Sequence, residues 1–223
     1  MLYEISIWVV PVLLAITLHE AAHAWMAWRL GDDTAMRLGR VTMNPLKHID
    51  PFGTVLLPGL LLLSGMPVFG YAKPVPVLAH RFQEPKSDMV WVAAAGPGMN
   101  ILLAIASALL LNFFATAEAG VGLWITDVLL RMIYLNVFLA VLNMLPIPPL
   151  DGGRVVTGLL PGDLSRKYAQ IEPYGFFIII GLFMLPFLLQ SLFGINFSIL
   201  GMTLLPIVEY LYDVLDRAFI FVG

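Results

Sequence analysis

Apolar positions gather into six stretches: from Ile5 to about Leu30, then roughly 52–66, 89–115, 122–145, 174–193 and 197–221. Five of them run to about 20 residues or more, the length an α-helix needs to cross a bilayer. The first lacks a basic leader and a small-residue cleavage site, so it is expected to remain as a span. The stretch 52–66 is different. Its roughly 15 residues would make about 22 Å of helix, against a hydrocarbon core of about 30 Å. Pro58-Gly59 also interrupts it. A short, broken apolar stretch predicts a re-entrant segment that enters and leaves by one face.

The cations test that reading independently. Arg29, Arg37, Arg40 and Lys47 precede the short stretch, and Lys73, Arg81 and Lys86 follow it. Arg154, Arg166 and Lys167 lie near 151–173, whereas the connections near 116–121 and 190–197 carry no Lys or Arg. If 52–66 turns back, every basic loop falls on one side, as the positive-inside rule requires. Six simple spans would split them across both faces. The prediction is therefore five full spans plus a re-entrant segment, with the N-terminus outside. Loops are short throughout, so residues 1–223 are expected to form a single membrane domain.

Composition agrees with this pattern. Of 223 residues, 60% are hydrophobic and 12% charged, and the mean hydropathy is +0.89. An ordinary soluble domain is about one-quarter charged, so the apolar surplus here must face lipid. This excludes a soluble enzyme and a basic nucleic-acid binder. The absence of cysteine excludes a disulfide-stapled module. The net charge of −3 adds little, because so few charges contribute to it.

Inside the first span stands His19-Glu20-Ala21-Ala22-His23. Histidines four apart share a helix face, so both imidazoles can reach one ion, and the glutamate between them can take a proton from a water beside it. Ionisable groups within a lipid-embedded helix cost about 2.5–3.5 kcal/mol each on insertion scales. A bound cation offsets that cost. Catalytic zinc usually has three protein ligands and an open position. The remaining histidines, His48 and His80, sit in basic loops. Asp151 is the better third ligand: it follows a helix end broken by Pro146, Pro148 and Pro149 and precedes Gly152-Gly153. Proline stops the helix there, and the glycines are expected to allow tight, irregular backbone at the membrane edge.

These residues resemble the site-2 protease family of intramembrane zinc metalloproteases. The resemblance is carried by His19–His23 in one span and by Asn143 with Pro146-Ile147-Pro148-Pro149-Leu150-Asp151-Gly152-Gly153 at the end of another. Ala95-Gly96-Pro97-Gly98-Met99-Asn100 is similar to a third family signature. The loops Asn44-Pro45-Leu46-Lys47-His48-Ile49-Asp50-Pro51 and Gly70-Tyr71-Ala72-Lys73-Pro74-Val75-Pro76-Val77 resemble those of the compact prokaryotic branch, without a PDZ or CBS module. The likeness covers about residues 10–155.

It implies one zinc ion per chain held by His19, His23 and Asp151, with Glu20 as general base. It also implies that Asn143 donates to the tetrahedral oxyanion; an interhelical hydrogen bond is the other reading of that amide. Asn100, after a run of small residues, is expected to pack the third span and to support a ligand. His48 is either a contact near the site or an interfacial histidine. Asp127 and Arg131 are spaced to pair along a helix. Glu209, Asp213, Asp216 and Arg217 place the end of the last span at the interface.

Val41-Thr42, Val68, Val75 and Val77 predict a small membrane-associated β element in 34–43 and 68–78, able to receive an unwound substrate by β-addition. The fold expected is thus an all-α integral membrane protein of about five to six transmembrane helices, with a re-entrant segment and this β element. The implied function is hydrolysis of peptide bonds within or near transmembrane segments of membrane-anchored substrate proteins. The bilayer is the other partner and nucleic acid is not one. The expected location is the cell (cytoplasmic) membrane, with the site toward the cytoplasmic side. A rival is a divalent-metal transporter or metal-sensing membrane protein using the same ligands, though spans 89–205 offer few further carboxylates or histidines.

Overall fold

Three long apolar helices build the core of the fold in the computed structural model, which describes residues 2–66, 70–117 and 119–221. They are α1 (Leu2–Arg29), and, after the short helices α2 (Thr34–Arg37) and α3 (Leu57–Leu63), α4 (Pro85–Leu111) and α5 (Gly120–Asn143). Beyond them follow α6 (Asp151–Leu159), α7 (Gly162–Ala169), α8 (Glu172–Phe193) and α9 (Ile199–Phe219). α4 packs against both α1 and α5, and α6 packs against α4.

In lipid, helices gain little from burying apolar surface against one another, so close approach through small side chains decides where they meet. Ala15, Ala22, Ala24 and Ala27 of α1 and Ala93, Ala104 and Ala108 of α4 are accordingly buried. Leu129, Ile133 and Val137 of α5 pack with Ala104, Ala108 and Leu111 of α4 and Leu204, Val208 and Leu215 of α9. α1 and α5 run parallel, with their first turns adjacent: Ile7 packs on Val128 and Met132, and the Trp124 indole donates to Ser6 Oγ at 2.9 Å. Asp127 accepts from the Tyr3 hydroxyl at 2.5 Å, and Arg131 lies 5.1 Å over the Trp8 ring. These cross-helix partners replace the Asp127–Arg131 pairing predicted within one helix.

Four helices are long and apolar enough to cross a membrane: α1, α4, α5 and α8. The chain is a multi-pass membrane protein. α8 buries almost none of its surface in the protein; Phe177 and Leu192 are open to lipid. The predicted fifth span, α9, has 21 residues, but Glu209, Asp213, Asp216 and Arg217 make its second half too polar to count as one. The short stretch forms a π-helical turn, Pro51–Leu56, that runs into α3. Together they rise about 20 Å at about 1.5 Å per residue, short of a crossing.

The predicted β element is not formed: no strand occurs among the described residues. Residues 34–37 are helical, and Val68 lies outside the described residues. Residues 70–78 form neither helix nor strand. Pro74 and Pro76 have no N–H, which removes donors from one edge. The other edge is engaged by the π-helical turn and the residues before it: Tyr71 N–H donates to Gly53 O at 3.0 Å and Lys73 N–H to His48 O at 2.9 Å. This segment is a strap stretched over one end of the helix bundle.

Candidate metal centre

His19 and His23 project from one face of α1 with ring centroids 4.6 Å apart and planes nearly perpendicular. Their protons can be placed from their partners. His23 Nδ1 lies 2.7 Å from Val92 O, and a carbonyl can only accept, so Nδ1 carries the hydrogen. His19 Nδ1 lies 2.5 Å from Asn100 Oδ1. Asn100 Nδ2 donates to Asn136 Oδ1 at 2.7 Å, and Asn136 Nδ2 donates to Met132 O at 2.8 Å. The Met132 carbonyl thus sets the direction of the whole chain of amides and leaves His19 Nδ1 as a donor.

In the neutral ring, a hydrogen on Nδ1 leaves each Nε2 with its lone pair, and the two Nε2 atoms face each other at 3.0 Å. Asp151 enters from the first turn of α6, with Oδ2 3.2 Å from His19 Nε2 and Oδ1 3.4 Å from His23 Nε2. Asp151 Oδ2 is buried and accepts no hydrogen bond. Four electron-rich atoms converge here, an arrangement that a cation relieves. Tetrahedral zinc with bonds of about 2.0–2.1 Å would hold its donors about 3.3 Å apart, so this donor set fits the ion.

Space for the ion is made by glycine. A Cβ on Gly96 of α4 would lie 2.4 Å from His23 Nε2 and 2.6 Å from His19 Nε2. Gly152 acts similarly below Asp151: its Cβ would meet Met144 O at 2.3 Å. Gly152 and Gly153 are helical, so the need is for close approach and not for the irregular backbone predicted from the pair.

Glu20 lies beside the imidazoles, and its Oε2 accepts from Val75 N–H of the strap at 3.0 Å. The strap is hooked a second time at Leu78, whose N–H donates to Asp32 Oδ2 at 2.6 Å. Burial alone would raise the Asp32 carboxyl, but donors from Leu78 and Thr34, with Arg81 nearby, hold it below the usual carboxylate range. His48 is buried beneath the strap, with Nε2 3.0 Å from Thr42 O. Burial, reinforced by the Arg40 cation, pushes its imidazole below the ordinary histidine value, against the opposing pull of Thr42 O and Glu20. Its 1% exposure overturns the interfacial reading.

A cavity of about 130 Å³ opens beside His19, Glu20, His23 and Asp151, with Asn143 in its wall. Asn143 Nδ2 donates to Leu139 O of its own helix at 2.9 Å. That bond is intrahelical, so the interhelical reading of this amide does not hold, and its second N–H is left for the cavity. His80 is exposed and plays no part here. Asn136 escaped the sequence reading. An asparagine in an apolar helix seven positions before Asn143 is the signal that could have found it.

The model of peptidase family M50 matches residues 115–188, which include Asn143 and Asp151. A protein provisionally named zinc metalloprotease YwhC, from Bacillus subtilis (strain 168), is 39% identical over 186 residues, covering 80% of each chain. Two proteins provisionally named zinc metalloprotease Rip2 are 32% identical. The one from Mycolicibacterium smegmatis aligns over 78% of this chain and 65% of its own. The one from Mycobacterium tuberculosis strain H37Rv aligns over 82% and 68%. No solved structure matches the chain at a significant level.

Proposed function

Because the chain belongs to peptidase family M50 and is a membrane-spanning zinc metalloprotease, we propose that it hydrolyses peptide bonds within or near the transmembrane segments of membrane-anchored proteins. The observation that carries this reading is the meeting of His19 Nε2, His23 Nε2 and the Asp151 carboxylate within hydrogen-bonding distance of one another, with Glu20 beside the same small cavity. His19, His23 and Asp151 hold the zinc. When bound, the ion polarises the scissile carbonyl and makes a water acidic enough to lose a proton near neutral pH.

Glu20 accepts that proton and passes it to the leaving amine. Its hydrogen bond from Val75 N–H keeps one carboxylate oxygen fixed and leaves the other free to act. Asn143 offers its uncommitted N–H to the oxyanion. The bundle around these groups excludes lipid and confines water to the cavity, so that a helical substrate must unwind to present its peptide bond.

The site lies at the end of α1 and α5 that carries the basic loops, which the positive-inside rule places on the cytoplasmic side of the cell membrane. Purified protein in detergent tests the assignment. Stoichiometric zinc in both wild type and Glu20→Gln, with cleavage of a transmembrane substrate by wild type alone, is the expected result. Zinc in both with cleavage by neither would favour metal transport or sensing and contradict the protease mechanism.

A further inference from the structure

The cavity beside Glu20, at about 130 Å³, accommodates a water and a reacting carbonyl, but not the residues flanking a scissile bond. A second cavity of about 420 Å³ adjoins it, sharing Val75, Val77 and Arg154 as walls. That volume falls within the range of ligand pockets, roughly 300–1,000 Å³. Its other walls come from the strap at Ala79, the start of α4 at Lys86 and Met89, and α6 at Thr157 and Gly158. α6 can approach α4 this closely because residue 158 has no side chain: a Cβ there would meet Val90 Cγ2 at 2.4 Å. Most of the lining is apolar; the charges are Lys86, Arg154 and, at the exposed rim, Glu172.

Arg154 stands one helical turn after Asp151 and borders both cavities. The described cations without a side-chain partner are otherwise exposed: Lys47, Lys73, Lys167 and Arg217. Arg37, Arg81 and Arg166 pair with aspartates. Arg40 donates to Lys73 O and Lys86 to Leu160 O. Arg131 and Arg29 lie over tryptophans. Among the described residues, Arg154 is the partly buried cation whose side chain makes no hydrogen bond, ion pair or ring contact. Its guanidinium borders the cavity with every donor uncommitted, and that planar fork matches a carboxylate with two parallel hydrogen bonds.

We propose that this second cavity is a substrate subsite in which Arg154 binds a peptide carboxylate beside the scissile bond. The ligand is an extended segment with apolar side chains against Val77 and Met89 and one acidic group at Arg154. This assignment rests on the protease reading above. The carboxylate has two possible sources, an Asp or Glu side chain of the substrate or the new C-terminus of the product.

The test uses purified full-length wild type, Arg154→Gln and Arg154→Glu, with zinc content measured for each. Substrates carry Glu, Gln or Lys singly at each position flanking the cleaved bond. For a side-chain ligand, wild type prefers Glu over Gln at one position by about 10- to 100-fold in kcat/KM, the scale of a charge-assisted hydrogen bond. Arg154→Gln brings that ratio near one, and Arg154→Glu prefers Lys, a gain that a misfolded protein cannot show. For a product ligand, a product peptide with a free C-terminal carboxylate inhibits wild type about tenfold more strongly than its amide, and Arg154→Gln abolishes the difference. Wild type that cleaves all substrates alike and binds acid and amide equally would overturn this inference while leaving the protease reading intact. Wild type that cleaves none would overturn the protease reading itself.

Discussion

Gly96→Ala is the smallest change that reaches the metal centre without touching a ligand. The added Cβ would sit 2.4 Å from His23 Nε2 and 2.6 Å from His19 Cε1 and Nε2, where ordinary contact begins at 3.4 Å. The imidazoles must therefore yield by about 1 Å, whereas metal–ligand distances tolerate about 0.2 Å. Neither ring can swing freely, because Val92 O and Asn100 Oδ1 hold their Nδ1 atoms. Altering the groups that merely orient a metal ligand costs about 10- to 100-fold in affinity. Displacing the ligand atoms themselves should cost at least about 100-fold. The helix does not suffer from the change, since alanine favours helix over glycine by up to about 1 kcal/mol. Zinc affinity measured by chelator competition, alongside a thermal melt of the metal-free protein, separates the two effects. The expected outcome is a large loss of zinc affinity with the metal-free protein still folded and its melting temperature lowered by no more than an overpacking cost of about 1–3 kcal/mol implies. Wild-type zinc affinity in Gly96→Ala would refute the convergence of the imidazoles on one ion at this place.

Asn136→Leu removes the acceptor that sets the Asn100 amide, and is expected to weaken zinc binding about 10-fold or more; nitrogen-15 spectra of the imidazoles should show His19 losing its single tautomer, and unchanged spectra would count against the relay. Val75→Pro deletes the donor to Glu20 and is expected to lower kcat while zinc content stays stoichiometric, so full cleavage would remove the strap from the mechanism. His48 has a folded pKa below its unfolded value of about 6.5. The stability it contributes is complete above that value and is lost as pH falls through the lower folded one. The protection factor of the Lys73 amide, whose N–H is held by His48 O, should therefore fall on acidification below about pH 6.5 once intrinsic exchange is divided out, and His48→Gln should flatten that fall.

The parts of the fold legible in the sequence are those that a local pattern determines. α1, α4, α5 and α8 are long apolar runs, and the shared face of His19 and His23 follows from helical spacing alone. Asp151 was legible because a helix end broken by prolines isolates one carboxylate. What the chain order does not encode is which neighbour satisfies each polar group. Val75 and Val77 suggested a strand, yet the prolines between and before them left no ladder to form, and the N–H of Val75 found a carboxylate 55 positions away. Arg131 found the Trp8 ring in place of the Asp127 one turn before it. The role of Asn136 exists only because α4 and α5 meet at Asn100, a contact made by tertiary packing.

The central claim is that zinc is held by two imidazoles and one carboxylate at the end of α1. Zinc-edge X-ray absorption of the purified protein tests it most directly. The account predicts one zinc per chain with two imidazole nitrogens and oxygen donors at about 2.0–2.1 Å, and a changed first shell in Asp151→Ala. Zinc absent from the wild type, a shell of three imidazoles, or a spectrum untouched by Asp151→Ala would contradict it.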